Sequence, residues 1–331
     1  MKSAFTMNKK PIASFSLDLD NKWAYMKTHG DEGWENYPSY FDVVVPRILD
    51  YLDRHQMKIT FFLVGQDAAL EKNHQALRSI VDAGHEIANH SFKHEPWLHL
   101  YSDKELEEEI ANTEEAIAGA TGKRPIGFRG PGFSNSKRLM DLLIRQGYEY
   151  DATMFNTFLG PLARAYYFLK SDFGKQQKSD RKLLFGKFKD GFRTNRPYFW
   201  KSDTGRILEI PVTTKPFFKT PIHASYLIYL ATFSELAAKL YLKKSIALCR
   251  ITGLRPSFLL HPLEFLTIDD APELGFFPGM KASLEKKMRV MDFIANSFKK
   301  HYSIVTMREH ARSLTETAKK HKPVELLRQA T

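Results

Sequence analysis

Gly84-His85-Glu86-Ile87-Ala88-Asn89-His90-Ser91-Phe92-Lys93-His94 is the stretch on which the reading of this chain turns. Its first half is a short run with the length of a buried strand. It delivers two imidazoles, His90 and His94, four residues apart. On a helical turn such positions share one face, so both side chains can reach one ion. Neutral imidazole suits zinc and similar divalent metals. A catalytic zinc site takes three protein ligands and keeps one position open, so a third ligand is expected from elsewhere. The spacing by itself also fits solvated or core histidines, of which a chain with 12 His can supply several. The surroundings have to decide.

Towards the N-terminus, residues 12–17 form an apolar run that ends in Asp18-Leu19-Asp20. Two acids at i and i+2 on a strand point to one face. The C-terminal end of a parallel strand is where α/β folds bind ligands, and buried carboxylates are costly unless paired or bound to metal. A polar strand end entering a loop is the plain alternative. A polar, aromatic loop is expected over 21–40, with Trp23, Tyr25, Trp34 and Tyr37, long enough to wall a cleft. A helix is expected over 42–55, a strand over 59–64 closed by Gly65, and a helix over 73–83 ended by Gly84.

Beyond the histidines, Ser102 and Glu105 form a capping box for a helix running to about Ala120. Residues 126–133 read as a strand ending in a rigid Gly/Pro turn, with Arg129 at the strand end. A helix over 136–146 and a strand over 148–151 follow. Strand alternating with helix argues for a parallel sheet, curled into a barrel.

Across 155–255 the pattern changes. Its first part is basic and aromatic, with Lys170, Lys175, Arg181 and Lys187 among its cations. Residues 207–212 are strand-like. Residues 226–251 are rich in Leu, Tyr and Ala, but Glu235, Lys239, Lys243 and Lys244 make them too polar to span a bilayer. They fit either a segment lying in the interface over acidic head groups or an ordinary core helix. A last apolar strand, 257–260, ends in His261-Pro262. A helix over 281–300, a strand over 302–305 and a frayed, basic tail from 315 complete the chain.

With 331 residues, 43% of them hydrophobic, the chain can build one large α/β domain or two smaller ones. The single cysteine, Cys249, excludes an intramolecular disulfide framework and fits a reducing compartment. A net charge of +11 favours anionic partners: a phosphorylated ligand, an acidic membrane surface or nucleic acid, the last without any recognised binding motif to support it. The polar, basic N-terminus is not a secretory signal, and no apolar run is long enough for a transmembrane helix. The expected location is cytoplasmic, either soluble or peripheral to the membrane.

Four strand ends therefore carry polar groups: Asp18/Asp20, His90/His94, Arg129 and His261. A metal held by Asp20, His90 and His94 would leave a position for water, lowering its pKa and polarising a carbonyl. Asp18 would serve as general base and His261 as general acid. Arg129 could hold the Asp18 carboxylate in a bidentate pair. This is equipment for metal-assisted hydrolysis of an amide or ester.

In these motifs the chain resembles the polysaccharide deacetylases, the carbohydrate esterases built on the NodB homology domain. The family's acid pair appears as Ser16-Leu17-Asp18-Leu19-Asp20, in the Asp-x-Asp form. Its His-[Ser/Thr]-x-x-His motif appears as His90 to His94, preceded by Gly-His-Glu-Ile. Arg129-Gly130-Pro131 matches its Arg-x-Pro turn and Leu259-Leu260-His261 its Leu-x-His motif. The resemblance covers about 12–151 and 256–305. It implies a distorted (β/α) barrel forming a single catalytic domain, with 155–255 inserted as a substrate or membrane-contact region. It implies that Asp18 is the base, Asp20 a metal ligand and His261 the acid, with substrate contacts at Pro131, Leu259 and Asp151. His85 is expected to be a core histidine bonded to backbone. Glu264 either supports His261 or is a solvated loop acid.

The activity implied is metal-dependent removal of an N-acetyl group from an amino sugar of a cell-envelope glycan. Zinc is the favoured ion, with cobalt, nickel and manganese as alternatives. The basic insertion and the absence of an export signal point to a lipid-linked sugar met at the cytoplasmic leaflet. The chain is also similar in outline to bacterial deformylases of undecaprenyl-phosphate aminosugars, through Glu209-Ile210-Pro211-Val212-Thr213, so deformylation is the nearest alternative. A non-catalytic glycan- or membrane-binding module on the same scaffold is the alternative of a different class.

Overall fold

Strand β1 (Ile12–Leu19) organises the sheet. Its alternation is read on two buried faces. Ala13, Phe15, Leu17 and Leu19 enter the largest apolar cluster, while Ser14, Ser16 and Asp18 face the other way and are buried as well. Burial on both faces is what a parallel strand under helical cover requires. The computed structural model describes residues 10–160, 162, 188–318 and 324–325.

β1 runs parallel to β2 (Thr60–Leu63) on one side and β8 (Ser257–Leu260) on the other, with Leu17 beside Phe61 and Leu260. From β2 the sheet continues through β3 (Glu86–Asn89), β4 (Gly127–Phe128), β5 (Tyr150–Asp151), β7 (Gly205–Glu209) and β6 (Tyr198–Ser202) to β10 (Val324–Glu325). β9 (Ser303–Val305) pairs with the start of β1. Among the described strands every pairing is parallel except the β6–β7 hairpin. The result is a (β/α) barrel whose sheet does not close among the described residues.

Ten helices are described: α1 (Lys22–His29), α2 (Phe41–Arg54), α3 (Gly65–Ala68), α4 (His74–Asp82), α5 (Asp103–Thr121), α6 (Lys137–Arg145), α7 (Ala224–Phe233), α8 (Glu235–Ile251), α9 (Leu284–His301) and α10 (Met307–Ala318). The capping box on α5 is present: the Ser102 N–H donates to Glu105 Oε2 at 2.7 Å, and the Glu105 N–H to Ser102 Oγ at 3.3 Å. α10 closes one end of the sheet. Its first amides donate to Thr60 Oγ1 and Glu86 Oε2, both at 2.8 Å, placing a carboxylate at the positive end of the helix. Met307 and Ala311 then pack against Phe62, Ala88 and Tyr150.

Several expectations change. Residues 21–40 are not one loop: they contain α1, capped by Asn21 and ended by Gly30 at φ 92°. Eight residues of mixed polarity give too weak a periodic signal to show it. Residues 90–94 form an irregular loop rather than a helical turn, with Ser91 at φ 63° and His94 at φ 51°. The segment 226–251 is two helices, broken at Ser234, whose hydroxyl caps α8 by accepting from the Ala237 N–H at 3.2 Å. The strand at 207–212 has an unforeseen partner, β6. The basic run over 163–187 and most of the tail after 318 lie outside the described residues. Among the described residues no helix is long and apolar enough to cross a membrane.

Candidate metal centre and catalytic groups

Parallel register sets the site. Leu17 beside Leu260 puts the following residues, Asp18 and His261, at adjoining strand ends. Asn89 beside Phe128 does the same for His90 and Arg129. Loop and strand ends thus converge on Asp20, His90 and His94, whose ligand atoms all lie within 4.8 Å of one another. His94 Nε2 is 3.0 Å and His90 Nε2 3.4 Å from Asp20 Oδ1, and all three residues are buried.

The donor set fits a divalent ion. His90 Nδ1 lies 2.7 Å from the Arg129 carbonyl, which can only accept, so that nitrogen carries the proton. Its Nε2 then turns a lone pair towards Asp20, the tautomer a metal-ligating imidazole takes. Asp20 Oδ1 and His94 Nδ1 are buried without a hydrogen-bond partner. A lone pair facing a carboxylate in a buried site calls for a cation between them. Burial alone would raise the Asp20 carboxyl, but the facing histidines outweigh it and hold it well below the usual carboxylate range. His90 moves the opposite way: burial opposes its charge, yet Asp18, Asp20 and the Arg129 carbonyl raise its pKa.

Asp18 stands beside the triad, its Oδ2 3.9 Å from His90 Nε2. Its other oxygen accepts from Arg129 Nη1 at 2.5 Å. The expected bidentate fork is therefore a single contact. Arg129 Nε goes to the Ala152 carbonyl at 2.9 Å, and the guanidinium lies 4.1 Å over the Phe62 ring. Arg129 is fully buried. The turn after it needs its glycine, because a Cβ on Gly130 would sit 2.1 Å from the Ser134 carbonyl oxygen.

His261 is held from behind. Ser225, at the start of α7, donates from Oγ to Glu264 Oε1 at 2.5 Å and lies 3.1 Å from His261 Nδ1. With the only hydroxyl proton engaged by Glu264, Ser225 Oγ accepts from His261 Nδ1–H. That leaves Nε2 as the His261 nitrogen not turned to Ser225. Glu264 also accepts from the His261 backbone N–H. It is buried at 1% exposure and so supports His261 rather than lying in a solvated loop. Burial raises its carboxyl pKa, and the His261 charge and the Ser225 bond only partly offset this. His223, whose ring centroid is 6.2 Å from that of His261, is kept neutral: burial and then His261 push it down to about 3.

The remaining expected residues fall around this centre. Pro131 is buried in the turn after Arg129, and Leu259 is buried on β8 on the face opposite the main apolar cluster. Asp151 is fully buried rather than open to a groove. It accepts from Thr153 Oγ1 at 2.5 Å and lies beside its register partner Glu209, both carboxyls being raised chiefly by burial. His85 accepts from the Ile59 N–H at 3.2 Å, and burial takes it down to about 4, as a core histidine should behave.

Asp67 and Ser225 were not singled out in the sequence. Asp67 Oδ1 accepts from Asn21 Nδ2 at 2.7 Å and Trp23 Nε1 at 3.0 Å, fixing the chain that leaves Asp20. Burial pushes its carboxyl up to about 7. The Trp23 indole and the Asn21 cap were local signals; their common partner 44 residues on was not.

A family profile described as polysaccharide deacetylase matches residues 31–150. A peptidoglycan deacetylase of Helicobacter pylori is 26% identical over 159 residues, 47% of this chain and 53% of that protein. A peptidoglycan deacetylase-like protein of Gibberella zeae is 31% identical over 151 residues, 44% of each chain. This chain spans about half the length of these curated relatives. A solved structure from Mycobacterium smegmatis assigned to the polysaccharide deacetylases superposes with a TM-score of 0.62 at 21% identity, over 99% of this chain and 98% of that one, which is a likeness of fold. Residues 31–150 thus match the polysaccharide deacetylase family, and the chain as a whole shares the fold of a solved structure assigned to it.

Proposed function

We propose that this protein is a metal-dependent hydrolase that removes the acetyl group from the nitrogen of an amino sugar in a cell-envelope glycan. The observation that carries the reading is the convergence of Asp20, His90 and His94 within 4.8 Å, beside the buried Asp18–Arg129 pair. The peptidoglycan deacetylases among its relatives support the substrate class.

Asp20, His90 and His94 would hold the ion, and two imidazoles with one carboxylate favour zinc. Such an ion acidifies water and polarises an amide carbonyl. Asp18, anchored through one oxygen by Arg129, takes the proton of the attacking water on the other. His261, its Nδ1–H turned to Ser225, delivers a proton from Nε2 to the departing amine. Arg129 also donates through Nε to the Ala152 carbonyl, so it ties Asp18 to the chain just after β5.

The finer reading, a lipid-linked sugar, is supported by the net charge of +11 and by the exposed apolar surface of α7 and α8. The test is metal content together with acetate and formate release from N-acylated amino sugars, free and lipid-linked. Stoichiometric divalent ion and acetate release, both lost in His90→Ala, is the expected result. Formate release alone would replace deacetylation with deformylation. Glycan binding without any turnover would leave a binding module.

A further inference from the structure

The connection between α7 and α8 shows side chains that a water-facing helix pair does not need. Phe233 ends α7 at 75% exposure, and Leu236 and Leu240 lie on the outer face of α8, Leu236 at 67%. Tyr229 meets Phe233 edge to face at 5.1 Å and is exposed too. The neighbouring turn adds Phe217 and Phe218, both exposed, with Phe217 at φ 69°. A bulky residue at positive φ is strained, and both rings stand exposed. The turn is tied to α8: Thr220 Oγ1 lies 2.6 Å from the Tyr241 hydroxyl, and Lys215 Nζ lies over both Phe218 and Tyr241 at 4.8 Å.

Charge selects the occupant. From Lys215 to Arg255 there are seven Lys and Arg and one acid, Glu235. That acid is already engaged by Arg289 at 3.0 Å and Lys239 at 3.5 Å. Exposed Lys243, Lys244 and Arg250 continue the outer face of α8 beyond Leu240. A second copy docking face to face would bring these cations against themselves. An apolar centre edged by unopposed cations matches an acidic bilayer surface, with rings and aliphatics in the interface and lysines at head groups.

We propose that α7, α8 and the 215–220 turn form a docking surface for an acidic lipid bilayer. α7 begins at Ala224, its second residue Ser225 touches His261, and it ends at Phe233. A ten-residue helix is about 15 Å long. Docking therefore brings the bilayer within one short helix of the catalytic histidine, the reach that a lipid-linked amino sugar requires. The surface itself does not depend on the deacetylase reading.

The experiment is co-sedimentation of the full chain with phosphatidylglycerol–phosphatidylcholine vesicles and with pure phosphatidylcholine vesicles, at low and high salt. Partitioning to the acidic vesicles should exceed that to neutral ones by about tenfold or more and fall with salt. Phe233→Ser with Leu236→Ser should cut it about tenfold, and Lys243→Glu with Lys244→Glu should remove its salt dependence. Circular dichroism and turnover of a soluble aryl acetate, unchanged in both variants, show that they are folded. Absence of the wild-type chain from acidic vesicles, equal binding to neutral ones, or binding indifferent to both variants overturns the proposal. So does a dimer, seen by sedimentation, that is lost in the same variants while vesicle binding is absent. Loss of catalysis with vesicle binding retained would count against the deacetylase reading and leave this one standing.

Discussion

Ser225→Ala isolates the support of His261, the proposed catalytic acid. The hydroxyl stands between His261 Nδ1 at 3.1 Å and Glu264 Oε1 at 2.5 Å. Removing it leaves a buried carboxylate oxygen and an imidazole N–H each without their partner. An unsatisfied buried group costs about 1–3 kcal/mol. If most of that is lost orientation of His261, kcat on an N-acetylated sugar should fall roughly 10- to 100-fold, since about 1.4 kcal/mol is a factor of ten. KM should move little, because Ser225 acts on the acid and not on the sugar. The leaving group supplies the deciding comparison. An amine leaves only with a proton, whereas the phenolate of an activated aryl acetate leaves without one, so that substrate should lose no more than a few-fold in rate. Ser225→Thr, which keeps a hydroxyl, should recover part of the rate. Equal losses on amide and aryl ester would show a general disturbance of the site. No loss on the amide would show that Ser225 does not position the acid.

The other groups separate by role. Asp20→Asn and His94→Ala should abolish stoichiometric zinc binding in titration calorimetry, while Asp18→Asn should keep the ion and lose turnover by about 100-fold or more; loss of the ion in Asp18→Asn would move that residue into the ligand set. Arg129→Met strands the buried Asp18 carboxylate and should lower unfolding free energy in urea by about 3–5 kcal/mol, against under about 1 kcal/mol if Asp18 is hydrated instead. Asp67 is raised by burial from 3.8 to about 7, so folding takes up a proton between those values. Its stabilising contribution is full below the unfolded pKa and is lost as pH rises through about 7. Asp67→Asn keeps an acceptor for Asn21 and Trp23 and removes that loss, so its stability relative to wild type should improve by about 2–3 kcal/mol between pH 5 and pH 8 in urea melts; a parallel pH dependence would place the carboxyl in a more polar setting.

The strands that could be read from the sequence are those whose neighbours in the sheet are equally apolar. Residues 12–17, 59–64 and 257–260 stand out because parallel strands covered on both faces read as continuous apolar runs. The two-residue strands β4 and β5 were expected as longer ones, because Gly127 and Arg129 sit within apolar surroundings that sequence alone cannot divide. β6 escaped notice. Its Tyr198-Phe199-Trp200 lies in a basic, aromatic stretch, and its pairing with Ile207 and Leu208 is what makes it a strand. α1 is a case of local structure set by tertiary contact: eight residues with polar content hold a helix because Asn21 caps it and Asp67 fixes Trp23.

The site shows the same division more sharply. Asp18, Asp20, His90, His94, Arg129 and His261 lie in short motifs at strand ends, so their types and order survive in the linear sequence. What holds them does not. His90 takes its tautomer from a carbonyl 39 residues away, and His261 takes its orientation from a serine 36 residues before it, just ahead of the segment read as an interfacial or a core helix. Asp151 was expected as a substrate contact from the family resemblance; the register places it beside Glu209, where it is buried. A reactive group needs a chemical type, and sequence records type. A supporting group needs only a hydrogen bond from the right direction, which many residues can supply and only the fold selects. Mutations that change the rate without touching the ion or the sugar should therefore cluster in α7 and the 262–264 turn, outside every motif by which the family is recognised.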